Sequence, residues 1–111
     1  MLFSKKQIGE ILVLEFQTDV LSGTDAQEFH QALRLLLTEG SKQFVVDLAK
    51  VSYMNSSGLG AMTSALTFVK NSGGNLKLCQ ASERIKSLFV VTKLDRIFEI
   101  YETQDEAVAS Y

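Results

Sequence analysis

Met54-Asn55-Ser56-Ser57-Gly58-Leu59-Gly60 sets two hydroxyls and two glycines between an apolar run and a helical pattern. Upstream, Phe44-Val45-Val46-Asp47-Leu48 is rich in β-branched and aromatic residues, as a buried strand should be. Downstream, Leu59, Met62, Leu66 and Val69 recur at helical spacing. A strand therefore feeds a helix here. The first backbone N–H groups of such a helix have no intrahelical partner, and the helix dipole adds partial positive charge, so the junction suits an anion. Ser56 or Ser57 is placed to cap it.

Outward from this junction, the same alternation repeats. Leu2 and Phe3 begin an apolar-polar pattern that breaks at Gly9-Glu10 and resumes over Ile11 to Phe16, which predicts two strands joined by a turn. The stretch from Gln17 to Gly23 has no period and reads as a surface loop. Thr24-Asp25-Ala26-Gln27 fits a capping box, and Ala26, Phe29, Leu33, Leu36 and Leu37 then share one helical face, ended by Gly40. The helix after the junction stops at Asn71-Ser72-Gly73-Gly74.

Asn75 to Cys79 alternates as a short strand, Ser82 can cap a third helix with Ile85, Leu88 and Phe89 on one face, and Ile97 to Tyr101 reads as a last strand. Thr103-Gln104-Asp105-Glu106 is a second capping box. Strands alternating with helices predict an α/β fold: a mixed sheet of about five strands with parallel neighbours and an N-terminal antiparallel hairpin. In such a sheet, ligands and partners meet the loops at the carboxyl ends of the strands, here Gln17 to Gly23 and Met54 to Ser57. Those two loops are expected side by side.

The composition limits the function classes. A chain of 111 residues suits one domain over 1–111, and 46% hydrophobic with 22% charged residues fits a globular protein rather than a disordered one. A net charge of −2 lacks the basic excess that phosphate-backbone contacts need, which argues against direct nucleic-acid binding. Cys79 is the only cysteine, with no second thiol to bridge and no zinc-ligand spacing around it. The N-terminal residues show no signal-peptide pattern, and no apolar run approaches membrane-spanning length. The expected location is the cytoplasm, with no membrane partner.

Catalytic constellations are missing from the pattern. His30 is the only histidine and has no paired nucleophile, and neither a Walker-type glycine loop nor a dinucleotide fingerprint is present. Asp19, Asp25 and Asp47 are accounted for by a loop, a first helical turn and a strand end, so no metal or other cofactor is expected. The chain does not read as an enzyme. The adjacent serines at the strand-to-helix turn keep two readings, a simple cap or a functional pair.

Asn55-Ser56-Ser57-Gly58-Leu59-Gly60 after an apolar strand resembles the Asp-Ser-Ser-Gly-Leu-Gly signature of bacterial anti-sigma factor antagonists, the small stand-alone STAS domains. The likeness continues through Gly73-Gly74, Ile85-Lys86-Ser87-Leu88-Phe89 and Leu94-Asp95-Arg96-Ile97-Phe98. It implies a STAS-like fold with helices packed mainly on one face. It also implies a switch in which a partner anti-sigma factor, itself a serine kinase, phosphorylates the first serine of the pair, here Ser56, and a metal-dependent serine phosphatase reverses it. The unphosphorylated antagonist binds the anti-sigma factor and releases the sigma factor. The expected contact surface is Ser22, Gly23, Thr24, Asn55, Ser56, Ser57, Gly58, Leu59 and Met62. The alternative is a non-phosphorylated STAS scaffold that binds other regulators or a small ligand. Two positions depart from the pattern: Asn55 stands where the signature has aspartate, and Ser22 best matches an aspartate that many members carry before the first helix.

Overall fold

The computed structural model describes residues 2–111. Strand β1 (Phe3–Ile8) and strand β2 (Ile11–Phe16) form the antiparallel hairpin. A two-residue strand, β3 (Val20–Leu21), precedes helix α1 (Gly23–Thr38). Then follow β4 (Gln43–Asp47), β5 (Tyr53–Met54), α2 (Ser56–Asn71), β6 (Asn75–Cys79), α3 (Glu83–Val91), a 3₁₀ turn at Leu94–Arg96, β7 (Ile100–Tyr101) and α4 (Gln104–Ala109). The main sheet has the order β1-β2-β4-β6-β7, antiparallel only at the first pair. The expected mixed sheet of five strands is thus present.

Strand alternation sorts the sheet's side chains into two layers. Leu12, Leu14, Phe16, Phe44, Val46, Leu76 and Leu78 point to the face covered by α1, α2 and α3, and form the principal core with Phe29, Leu33, Met62, Leu66, Ile85 and Phe89. Ile11, Val13, Val45 and Cys79 point the other way, where α4 supplies Ala107 and Val108 and the chain beyond it supplies Tyr111. Three of the four helices share one face, so α4 alone shields the second layer. Its end is fastened by polar contacts: Lys77 Nζ donates to the Ser110 carbonyl at 2.9 Å and lies 4.2 Å over the Tyr111 ring, whose hydroxyl accepts from Phe44 N–H at 3.2 Å.

Three local expectations are corrected. Ser22, not Thr24, is the cap of α1: its Oγ accepts from Asp25 N–H at 3.3 Å, while Asp25 Oδ2 accepts from Ser22 N–H at 3.4 Å. Thr24 lies inside the first turn, because Leu21 is anchored in β3 and the chain turns into the helix directly behind it. The last strand is shorter than Ile97 to Tyr101, since the 3₁₀ turn carries the chain to Phe98, which is buried against Phe89 (ring centroids 5.3 Å apart). At Thr103 only half of a capping box forms, with Thr103 Oγ1 accepting from Glu106 N–H at 3.1 Å.

Candidate functional site

The stretch from Gln17 to Gly23 is more ordered than a loop. Val20 and Leu21 pair in parallel with Tyr53 and Met54, and Asp19 O accepts from Ser52 N–H at 2.7 Å. Leu21 and Met54 turn into the core with no exposed surface, while their neighbours Val20 and Tyr53 lie on the outer side. This ribbon locks together the two loops that the sequence placed side by side, and it sets the start of α1 against the start of α2.

Two glycines make that contact close. A Cβ on Gly58 would lie 2.4 Å from the Leu21 carbonyl oxygen, and one on Gly23 would lie 2.7 Å from Ser57 Cβ. Both are closer than real Cβ atoms approach a neighbour, so only glycine lets the helix starts abut. The uncompensated N–H groups and positive dipole ends of both helices are gathered at one corner of the molecule.

The cap of α2 corrects the sequence reading. Asn55, with φ −81° and ψ 174°, is the N-cap, and its Oδ1 accepts from Gly58 N–H at 2.7 Å. Ser56 and Ser57 are therefore the first two helical residues. Both are exposed, and neither hydroxyl bonds another group among the described residues. Asparagine caps as well as serine does, so the hydroxyl of Ser56 is left free for chemistry.

The remaining expected contact residues divide by burial. Asn55, Ser56, Ser57 and Thr24 are exposed, and Ser22 and Gly23 are half-buried. Gly58 and Leu59 are buried, and Met62 has no exposed surface. Met62 belongs to the core and is removed from the contact surface: its helical spacing marked an inward position. The structure adds a neighbouring cluster that the sequence reading missed. Val20 is 46% exposed beside Tyr53, and the Arg84 guanidinium from the first turn of α3 stacks 4.5 Å over the Tyr53 ring. The alternation within Val20-Leu21 and Tyr53-Met54 was the available signal, too short at two residues each to read as strands.

The titratable groups weighed for catalysis are placed apart. His30 packs against Phe68, ring centroids 5.2 Å apart, in the groove between α1 and α2, where burial and then the nearby Arg34 charge lower its pKa. Asp25 is committed to the α1 cap. Asp47 accepts from Gln80 and Gln104 side-chain amides at 2.6 and 2.7 Å and from Ala49 N–H at 2.8 Å. Among the described residues, no three His, Cys, Asp or Glu side chains are grouped to hold a metal ion. No helix among them is long and apolar enough to cross a membrane.

A mixed five-stranded sheet, an exposed serine pair at the start of α2 and an abutting first helix agree with a family-level match: the STAS domain model covers residues 3–107. The chain belongs to the STAS domain family. The anti-sigma-B factor antagonist of Bacillus subtilis is 42% identical to this STAS domain over 64 residues, spanning 58% of this chain and 59% of that protein. Less than two thirds of that relative's length is thus matched. The anti-sigma-B factor antagonist of Staphylococcus epidermidis is 36% identical over 75 residues, 68% of this chain and 69% of that one. In three dimensions, the Thermotoga maritima protein TM1081 superposes with a TM-score of 0.88 at 27% identity, covering 97% of this chain and 92% of its own.

Proposed function

We propose that this STAS domain, acting as one unit over residues 1–111, is an anti-sigma factor antagonist switched by phosphorylation of Ser56. In its unphosphorylated form it binds an anti-sigma factor that is a serine kinase, which frees a sigma factor in the cytoplasm. The kinase transfers the γ-phosphoryl group of ATP to Ser56 Oγ, the hydroxyl proton passes to the kinase's base, and ADP leaves. A metal-dependent serine phosphatase restores the hydroxyl. The domain itself catalyses nothing.

The observation that carries this reading is the free, exposed hydroxyl of Ser56 at the first position of α2, with Asn55 taking the capping role. The antagonist function of the bacillar and staphylococcal relatives supports it. A phosphoserine adds about −1.5 to −2 charges at neutral pH. At a helix start this charge is favoured by about 0.3 to 1 kcal/mol, and the second helix start packed beside it acts in the same direction. Phosphorylation therefore leaves the fold intact. At an interface the same charge must be desolvated, and a penalty of about 3 kcal/mol weakens binding roughly a hundredfold. The switch works on the partner and not on the domain.

On this reading the partner covers Thr24, Asn55, Ser56 and Ser57, with Ser22 and Gly23 at the edge and Tyr53 with its stacked Arg84 as an anchor of the type enriched at interfaces. The test is incubation of the protein with its cognate kinase and ATP, followed by mapping of the modified residue by mass spectrometry. Phosphate on Ser56 is expected. Label that appears elsewhere, or persists in Ser56→Ala, refutes the assignment.

A further inference from the structure

Gly60 has no reason within the chain to be glycine. Of the other six, Gly9, Gly40 and Gly73 carry positive φ, while Gly23, Gly58 and Gly74 would each set a Cβ within 2.7 Å of a neighbouring atom. Gly60 lies inside α2 without positive φ, is exposed, and a Cβ there would meet nothing within 4 Å. Glycine in a helix interior is destabilising relative to alanine. The free protein thus carries a cost that its own packing does not explain.

The surface around Gly60 has two further peculiarities. Lys70 is the only charged residue in α2, so the exposed face that runs from Ser56 through Gly60, Ser64 and Thr67 to Asn71 is uncharged. Solvated helix faces normally carry charge, whereas the centres of interfaces are depleted of it. This face continues into a groove of about 360 Å³ between α1 and α2, lined by Ser64, Thr67, Phe68 and His30, where His30 Nε2 is covered and has no hydrogen-bond partner among the described residues. No carboxylate lines the groove, and Arg34 stacks 5.2 Å over its Phe68 ring.

We infer that Gly60 is a clearance position on which the backbone of a partner segment seats, and that this segment carries acidic side chains toward Arg34. The inference rests on the antagonist reading and deepens it. Ser56 and Gly60 are one helical turn apart on the same face, so a kinase that reaches the Ser56 hydroxyl must lie over Gly60. A methyl group there holds the partner off along the whole face. The missing side chain therefore serves the complex, at the expense of the free domain, and the acidic segment supplies the charge complement that the exposed Arg34 lacks among the described residues.

The test compares Gly60→Ala with the wild type against the purified kinase that phosphorylates Ser56. Calorimetric titration gives affinity, and thermal melting gives stability. Gly60→Ala is expected to melt a few degrees higher and to bind about tenfold more weakly, with slower phosphorylation of the untouched Ser56. Gly60→Leu is expected to lose about a hundredfold, and Arg34→Glu about tenfold. Wild-type affinity in Gly60→Ala and Gly60→Leu overturns the clearance role, and wild-type affinity in Arg34→Glu overturns the acidic segment. A dimer of this chain that Gly60→Ala dissolves would assign the face to a second copy and overturn the proposal. Absence of binding by the wild type would instead fail the antagonist reading, and this inference with it.

Discussion

Replacing Gly58 by alanine tests whether the close approach of β3 to α2 shapes the site. In an isolated helix the change would be favourable by about 0.5 to 1 kcal/mol, because alanine loses less backbone entropy. In this fold the new Cβ would sit 2.4 Å from the Leu21 carbonyl oxygen and 3.3 Å from the Asn55 cap oxygen. Neither neighbour is free to yield. Leu21 is fully buried, pairs with Met54 and accepts from Asn55 N–H, while Asn55 Oδ1 is held by Gly58 N–H itself. Forced overpacking of this kind costs about 1 to 3 kcal/mol and outweighs the propensity gain, for a net loss of roughly 1 to 2 kcal/mol.

For 111 residues the unfolding entropy is about 0.23 kcal/mol/K, so each kcal/mol moves Tm by about 4 °C. Gly58→Ala should melt roughly 4 to 9 °C below the wild type. The same substitution at Gly60, where no atom is near, should raise Tm by about 2 to 4 °C. Scanning calorimetry or circular dichroism reads both. Two identical changes in one helix then act with opposite sign, so propensity alone cannot explain the pair. A Gly58→Ala variant that melts at or above the wild type refutes the steric argument.

Other consequences follow from the cap, the switch and the buried thiol. Asn55→Ala should lose about 1 kcal/mol and about 4 °C in Tm, while Ser56→Ala and Ser57→Ala stay within about 0.5 kcal/mol of the wild type; the reverse order would restore a serine cap. Ser56→Asp should weaken kinase binding roughly a hundredfold with an unchanged circular dichroism spectrum, and a loss of helical signal would contradict the interface account. Undiminished binding would instead favour a scaffold that needs no phosphate. Burial, and then the Asp47 and Glu15 charges, push the Cys79 thiol from its ordinary value of 9.0 up to about 12. The folded protein keeps that proton while the unfolded chain releases it, so this stabilisation is complete below pH 9 and is lost as pH rises toward 12. Burial raises the Tyr111 hydroxyl as well, with the same sign. Denaturant melts from pH 8 to 11 should show falling stability, reduced in slope by Cys79→Ala; a flat profile would refute the linkage.

The main sheet was legible because its strands and helices announce themselves locally. The apolar run over Ile11 to Phe16 and the helical spacing of Phe29, Leu33 and Leu37 are properties of a few consecutive residues; the helix matched its buried face, while the strand, expected to alternate, is buried on both faces because α4 covers the second. What failed to show were features that depend on distant pairing. β3 and β5 are two residues long, too short for a period, and exist only because Asp19 to Leu21 meets Ser52 to Asn55 across 33 positions of chain. The α1 cap was misplaced by the same cause: Thr24 and Ser22 both have a suitable residue three positions on, and only the anchoring of Leu21 selects Ser22.

The site divides along the same line. The sequence by itself determined the strand, the turn, the serine pair and the helix behind it, since capping residues and periodicity act through neighbours in the chain. It also carried the family resemblance that the domain match supports. Only the tertiary structure decided which residue caps, which glycines are required by contact and which is not, and which side chains are left exposed. Met62 and Ser56 were both expected at the contact surface, yet the sheet behind α2 buries the first and leaves the second in solvent. Burial is a relation between elements, and it exists only once they have packed.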